Sequence, residues 1–263
     1  MNATPPSTGS IERWAWDYIL TEDLALKLDP PAAPTSWEPG SVVRRLNEPG
    51  RPSALRILDK AVKAPRRGAL QQPQRRAELI HTFLHHEMQA AELMGWALLA
   101  FPESPAAFRK GLLGICGEEI KHLQLYRDYL QRVGVSVGDF PVRDWFWSRV
   151  PRCQNPIEFV AVMGMGFEGG NLDHVARYEE WFGAAGDDDA VAILRTVRQE
   201  EVGHVRFGAH WFREFTGGLD FDTWRRSLPA PLSPTLMHGA QVNLADRQQA
   251  GLSREFLEQL SRW

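Results

Sequence analysis

The stretch FRKGLLGICGEEIKHLQLYRDYL, from Phe108 to Leu130, decides the fold of this chain. Its apolar residues recur every three or four positions, which predicts one long amphipathic helix. Glu119 and, three residues later, His122 interrupt the apolar stripe and share one face of this helix. Both side chains require partners in the core, because an unpaired buried carboxylate costs several kcal/mol.

The same Glu-x-x-His arrangement occurs again at Glu201 and His204. Each motif is preceded by a predicted helix with a glutamate in its apolar stripe, Glu87 in the first case and Glu168 in the second. The glutamates of the two pairs are 32 and 33 residues apart. In two antiparallel helices joined by a short turn, this spacing brings the paired elements to a similar level.

The predicted fold class is all-α, a four-helix bundle with arms packed around it. Proline and glycine residues separate the four helices, which are predicted at Pro73–Ala100, Ser104–Val133, Pro156–Phe182 and Asp187–Phe215. The predicted domains are an N-terminal helix and Pro-rich arm (1–72), the bundle (73–216) and a C-terminal arm (217–263). Helices within the arms are predicted at Ile11–Leu28, around Ser53–Val62 and at Ser253–Leu260.

Both arms are too rich in aromatic residues to be disordered tails. The residues in question are Trp14, Trp16, Tyr18, Trp37, Phe221, Trp224 and Phe256. We therefore expect the arms to wrap the bundle and to shape access to its interior. The alternative is that they pack against a second subunit, which would make the protein a homodimer.

Composition excludes several classes of function. The net charge of −3 over 263 residues argues against a nucleic-acid-binding surface. No apolar run approaches the roughly 18–20 residues that a membrane span needs, and the first ten residues lack the pattern of a signal peptide. The two cysteines, Cys116 and Cys153, are too few for a cysteine metal cage. We expect a cytoplasmic protein that binds neither nucleic acid nor membrane.

The donor types indicate a site for two metal ions. Two divalent cations would neutralise four carboxylates, and two neutral imidazoles would complete the ligand set. Oxygen and imidazole donors suit iron or manganese, whereas structural zinc usually takes cysteine. The predicted ligands of two iron ions, or of a Mn/Fe pair, are Glu87, Glu119, His122, Glu168, Glu201 and His204.

Two alternatives compete with this ligand set. Glu92 is the rival of Glu87, but it lies on a mixed stripe and only 27 residues before Glu119. A third Glu-x-x-His motif, from Glu78 to His81, lacks a matching glutamate and is interpreted as structural.

Two glutamates and two Glu-x-x-His motifs on four helices resemble the ferritin-like di-iron carboxylate superfamily. The run RAELIHTFLHHEMQAAELM (Arg76–Met94) is similar to an uncharacterised bacterial ferritin-like family of unknown function. Three arm segments share this similarity: Lys27–Pro31, Pro49–Pro52 and Asn243–Arg247, the last followed by Ala250-Gly251. The resemblance covers most of the chain and implies a di-iron bundle, but no substrate.

Four residues are candidates for a supporting role around the metal ions. Di-iron oxygenases often have aspartate immediately before the motif, where Glu118 and Glu200 stand here; the alternative is that both face solvent. Asn171, one turn after Glu168, could donate a hydrogen bond to a metal-bound oxygen species. Tyr126, one turn after His122, is either redox-active or a core residue.

Glycines surround Glu168, at positions 164, 166, 169 and 170. Each glycine weakens a regular helix by roughly 1 kcal/mol. Close helix contact, a π-bulge, or room for oxygen and substrate would each explain them.

The first functional hypothesis is a non-haem di-iron oxidoreductase that activates O2 to oxidise a small organic substrate. Since the sequence has no Cys-x-x-Cys pair and no recognisable flavin or nicotinamide motif, electrons would come from an external donor or from the substrate. The second hypothesis is a ferroxidase or peroxide-reducing protein, although the long arms disfavour a storage shell. The third hypothesis is a non-catalytic helical interaction module whose metal ions only stabilise the fold.

Overall fold

The computed structural model describes residues 4–60 and 64–263 and confirms the all-α prediction. These residues contain no β-strand, and their only β-type pairing is an isolated bridge between Ile57 and Val142. Within the same ranges, no helix combines the length and the apolar character needed to cross a bilayer. The chain divides into two compact units, Met1–Pro151 and Arg152–Trp263. The domain boundaries at residues 72 and 216 stay a prediction.

Two long helices form the centre of the first unit. Helices α3 (Pro73–Ala100) and α4 (Ala106–Arg132) are joined by a short loop and pack along each other. Proline at the first position of α3 costs nothing, since the first N–H groups of a helix have no partner within it. The observed ends differ from the predicted ends by at most two residues.

The N-terminal arm contains two short helices in place of the predicted single helix at Ile11–Leu28. Helix α1 (Ile11–Leu20) ends where Thr21 adopts an extended backbone, and α2 (Leu24–Leu28) follows. The Asp23 side chain accepts the N–H of Ala25 at 2.8 Å, so it starts a new helix rather than continuing the old one. The prediction of one continuous helix was therefore wrong. Helix α1 packs against α3 and α2 against α4.

The short helix predicted around Ser53–Val62 is absent from its described part, while residues 61 and 62 lie outside the described residues. The segment pairs with a loop instead. The Leu58 N–H donates to the Val142 carbonyl at 2.8 Å, and the Val142 N–H donates to the Arg56 carbonyl at 3.0 Å. These bonds hold an extended backbone that excludes a helix.

The second unit also has a long helix pair, but its first member is irregular. It consists of α5 (Pro156–Phe159), a π-helical segment (Val160–Phe167) and α6 (Glu168–Ala184). This composite packs against α7 (Asp188–Thr216). Helix α7 ends as predicted, at a left-handed Gly217 with φ of 78°.

Close backbone contact accounts for glycines around the π-helical segment. A Cβ on Gly164 would lie 2.8 Å from the Cα of Gly208 in α7. One on Gly169 would lie 2.6 Å from the guanidinium of Arg247. Two of the three explanations offered by the sequence, helix contact and π-helical geometry, are thus observed; room for oxygen and substrate stays a hypothesis.

The C-terminal arm folds onto the helices of its own unit. It contains α8 (Phe221–Arg226), α9 (Leu244–Gln249) and α10 (Arg254–Leu260). The rings of Phe221, Trp224 and Phe256 meet with centroids 5.3–5.5 Å apart. The Trp224 indole N–H donates to the carbonyl of Ala161 at 3.0 Å, which fixes the arm to the π-helical segment. Both arms thus pack against helices of their own units, as expected, while their role in access to the interior stays a prediction.

Candidate metal centre

The first unit brings three of the predicted ligands together. Glu87 lies on α3, while Glu119 and His122 lie one turn apart on α4; all three are buried. His122 Nδ1 lies 3.5 Å from a Glu119 carboxylate oxygen and 3.8 Å from a Glu87 carboxylate oxygen. Two carboxylates and one imidazole therefore face a common point inside the helix pair.

These neighbours change the acid–base behaviour of His122. Burial alone would lower its pKa, but the carboxylates of Glu119 and Glu87 outweigh burial and hold the pKa well above the ordinary 6.5. The group of side chains thus favours a positive charge at its centre. Either a proton on His122 or a bound cation could supply that charge.

The second unit repeats the ligand types with different contacts. Glu168 begins α6, and Glu201 and His204 lie one turn apart on α7; all three are buried. One oxygen of the Glu201 carboxylate lies 3.0 Å from His204 Nδ1, and the other accepts a hydrogen bond from the Asn171 amide at 3.1 Å. Asn171 therefore orients Glu201, whereas the role predicted for it, a hydrogen bond to oxygen bound at the metal, stays a prediction.

One ligand atom from each of Glu87, Glu119 and His122 lies within 4.8 Å of the others. A buried group of two carboxylates and an imidazole at this spacing could bind a metal ion. Glu168, Glu201 and His204 of the second unit complete the predicted set of six.

The remaining candidates have varied surroundings. Tyr126 is fully buried and its ring lies 5.9 Å from that of Phe83, as expected of a core tyrosine. Glu118 is exposed on α4, and Glu200 is half-buried on α7. The Cys116 thiol donates to the carbonyl of Ala91 at 3.2 Å, and burial raises its pKa, so it is a neutral core group rather than a thiolate ligand.

Glu92, the rival ligand, is fully engaged elsewhere. Its buried carboxylate is bound by Lys27, Arg51 and the indole N–H of Trp147. Burial raises the pKa of Glu92, but Arg51 and Lys27 outweigh this effect and lower it. The contacts therefore favour Glu87 as the ligand on α3.

Sequence reasoning missed the buried cations that the arms supply. Lys27 and Arg51 reach Glu92 from positions 65 and 41 residues away in the chain. Arg247 reaches Asp173 from 74 residues away. The three cations lie in the three arm segments that resemble the bacterial ferritin-like family. This coincidence was the signal from which sequence reasoning could have found them.

Fold and site together define an all-α protein with a buried glutamate and histidine group that could bind metal. The chain belongs to the family described as "Protein of unknown function (DUF455)", which matches residues 12–258 and so includes both helix pairs and most of both arms. It is similar to an "Uncharacterized protein" of Haemophilus influenzae (strain ATCC 51907 / DSM 11121 / KW20 / Rd), with 27% identity over 192 residues. That alignment covers 69% of this chain and 66% of the relative, slightly less than two thirds of the relative's length. No solved structure matches this chain.

Proposed function

We propose that this protein is a ferritin-like non-haem oxidoreductase that uses two metal ions, both iron or one manganese and one iron, to activate O2 and oxidise a small organic substrate. The observation that carries the proposal is the duplication of one buried residue set, a glutamate on one helix followed by a Glu-x-x-His motif on the next helix. The first copy is Glu87 with Glu119 and His122; the second is Glu168 with Glu201 and His204.

Charge balance supports one metal ion per copy. Each copy has two buried carboxylates and one imidazole, so one divalent cation leaves it close to neutral. Without the cation, the core would have to protonate or otherwise neutralise these groups at a cost of several kcal/mol.

The donor set fits iron or manganese better than other common metals. Carboxylate and imidazole donors suit these ions, and the nearby Cys116 thiol is neutral and occupied by a backbone carbonyl. When bound, such a metal pair supplies the electrons and the positive charge that reduction of O2 requires.

The residues of the chain position and protect the reacting groups. Asn171 and His204 hold the two oxygens of the Glu201 carboxylate, which fixes its orientation. The burial of all six ligands keeps bulk water away from the centre. We further propose that an external donor or the substrate supplies the electrons for repeated turnover.

Anaerobic loading with Fe(II), followed by rapid mixing with O2 and separately with H2O2, tests the proposal. We expect two Fe(II) per chain, consumption of O2, and a transient absorption band. The Glu201→Gln variant should lose this reactivity, because it removes a ligand charge while keeping the side-chain shape. Glu78→Gln is the matched control, since Glu78 belongs to the third Glu-x-x-His motif and pairs with Arg75 instead.

The same experiment separates the alternatives. Iron oxidation that continues well beyond two Fe(II) per chain would favour a ferroxidase, and reaction with H2O2 but not O2 would favour a peroxide-reducing protein. Full metal occupancy without either reaction would contradict an enzymatic role and favour metal ions that staple the fold.

A further inference from the structure

A second buried carboxylate follows each upstream ligand by five residues. On α3, Glu92 follows Glu87; on α6, Asp173 follows Glu168, and all four side chains are buried. Five residues of α-helix correspond to a rotation of about 140° and a rise of about 7.5 Å. In each helix the second carboxylate therefore lies on a different face from the ligand.

In the first unit, Glu92 accepts four hydrogen bonds. One oxygen is bound by Lys27 Nζ at 2.6 Å and by Arg51 at 2.7 Å. The other is bound by Arg51 at 2.9 Å and by the Trp147 indole at 2.7 Å. Arg51 thus binds both oxygens of the Glu92 carboxylate, one through each terminal guanidinium nitrogen. It also binds Asp144 through Nε at 2.9 Å.

In the second unit, Asp173 also accepts four hydrogen bonds, two on each oxygen. Arg247 donates to both oxygens of the Asp173 carboxylate, at 3.0 and 2.8 Å, so this arginine also binds its partner at two points. The backbone N–H groups of Asn243 and Gly239 donate at 2.7 and 2.9 Å. All of these donors belong to the C-terminal arm, just as Lys27 and Arg51 belong to the N-terminal arm.

We infer that Arg51 and Arg247 are equivalent positioning residues that fix the rotation of α3 and α6 and thereby orient Glu87 and Glu168 for metal binding, each within its own helix pair. This inference rests on the proposed function. A planar arginine bound at two points fixes the angle of its partner carboxylate, which a lysine cannot do. Ligand sites need side chains held to within about 0.5 Å and 10–20°, so a small rotation of either helix would displace its glutamate.

Arg247 has a second contact that supports this role. Its guanidinium packs so closely on Gly169 that a Cβ there would lie 2.6 Å from it. Gly169 is the residue immediately after Glu168. Arg247 therefore holds both the backbone beside the ligand and the carboxylate five residues later.

Comparison of Arg51→Lys with Arg44→Lys tests the inference. Arg44 is a matched control, because it lies in the same arm, is buried, and binds the Glu38 carboxylate at two points, 2.6 and 3.0 Å. Its partner is in the arm rather than on a ligand-bearing helix. Arg51→Lys should fold, since Lys27 still neutralises Glu92. For each variant we would measure Fe(II) affinity, the visible spectrum of the Co(II) form, and the melting temperature with and without metal.

We expect Arg51→Lys to weaken Fe(II) binding about tenfold and to change the Co(II) spectrum, as is typical of residues that orient metal ligands. Arg44→Lys should lower the melting temperature but leave Fe(II) affinity and the Co(II) spectrum unchanged. Wild-type affinity and spectrum in Arg51→Lys, with only the melting temperature lowered, would overturn the inference and assign the arginine a structural role.

Arg247→Lys provides the same test in the second unit, where a weaker Fe(II) affinity and an altered Co(II) spectrum are again expected. Unchanged values there would overturn the equivalence of the two arginines. The wild-type protein is measured first. If it binds neither Fe(II) nor Co(II), the proposed function itself fails, whereas metal binding that is insensitive to both arginines contradicts the positioning role alone.

Discussion

The two helix pairs contain the same ligand types but hold them in different ways. In the first pair, His122 lies between two carboxylates, 3.5 and 3.8 Å away, on helices that are regular throughout. In the second, the Glu201 carboxylate lies between His204 and Asn171, 3.0 and 3.1 Å away, and a π-helical segment precedes Glu168.

This difference shows that one ligand pattern can be supported by two kinds of interaction. The first pair depends on charge balance, because a cation or a proton must offset its carboxylates. The second pair has the same need for charge balance, and in addition the Asn171 hydrogen bond holds Glu201 and the backbones pack closely at Gly164 and Gly208. Sequence periodicity alone cannot reveal this difference, since both pairs have the same motif and nearly the same spacing.

The largest expected effect is that of Glu119→Ala, which should remove most bound metal. Glu119 is fully buried, and one of its carboxylate oxygens lies within 4.8 Å of the ligand atoms of Glu87 and His122. Metal content after dialysis would be measured by elemental analysis. Glu78→Ala is the control, and it should keep the wild-type metal content. Full occupancy in Glu119→Ala would show that this glutamate is not a ligand.

Removal of metal should destabilise the protein, because a ligand that binds only the folded state raises its stability. At a free metal concentration 100 times the dissociation constant, the expected difference is about 2.7 kcal/mol per site. The melting temperature would be recorded before and after chelation, and again after metal is restored. If chelation leaves it unchanged, the buried glutamates do not depend on a cation.

Glycine substitutions should distinguish the two helix pairs. Gly208→Ala should destabilise the second pair by about 1–3 kcal/mol, since its Cβ would lie 2.9 Å from backbone atoms of Gly164. Gly114→Ala in α4 should stabilise the first pair by up to about 1 kcal/mol, because a Cβ there meets nothing within 4 Å. Denaturant unfolding of both variants measures the effects. Equal effects would contradict the difference in packing.

A pH effect should come from the first pair. Because the pKa of His122 is raised in the folded, metal-free protein, protonation contributes stability that is complete below pH 6.5 and is lost as the pH rises through the folded pKa. Metal must displace this proton, so metal affinity should rise by at most about tenfold per pH unit over that range. Titrations at several pH values, with His122→Gln as the variant expected to lose this dependence, provide the measurement. A metal affinity independent of pH would contradict the protonated state.

Local patterns predicted the long helices well, because an apolar stripe lies within one helix, whereas the assignment of the motif residues as metal ligands stays a prediction. The ends of α3 and α7 were marked by proline and glycine. The helix expected at Ser53–Val62 failed because its backbone pairs with Val142, about 85 residues later in the chain. The partners of Glu92 and Asp173 were missed for the same reason, since they come from distant arm segments.

The metal content of the wild-type protein tests the central claim most directly. The protein would be purified without chelator, reconstituted anaerobically with Fe(II), and freed of unbound metal before iron and protein are quantified together. We predict two ions per chain in the wild type. The number should fall to one or none when His122 or His204, the histidines of the two Glu-x-x-His motifs, is replaced by alanine. A wild-type protein that retains no metal, or that retains the same amount after both replacements, would contradict the account.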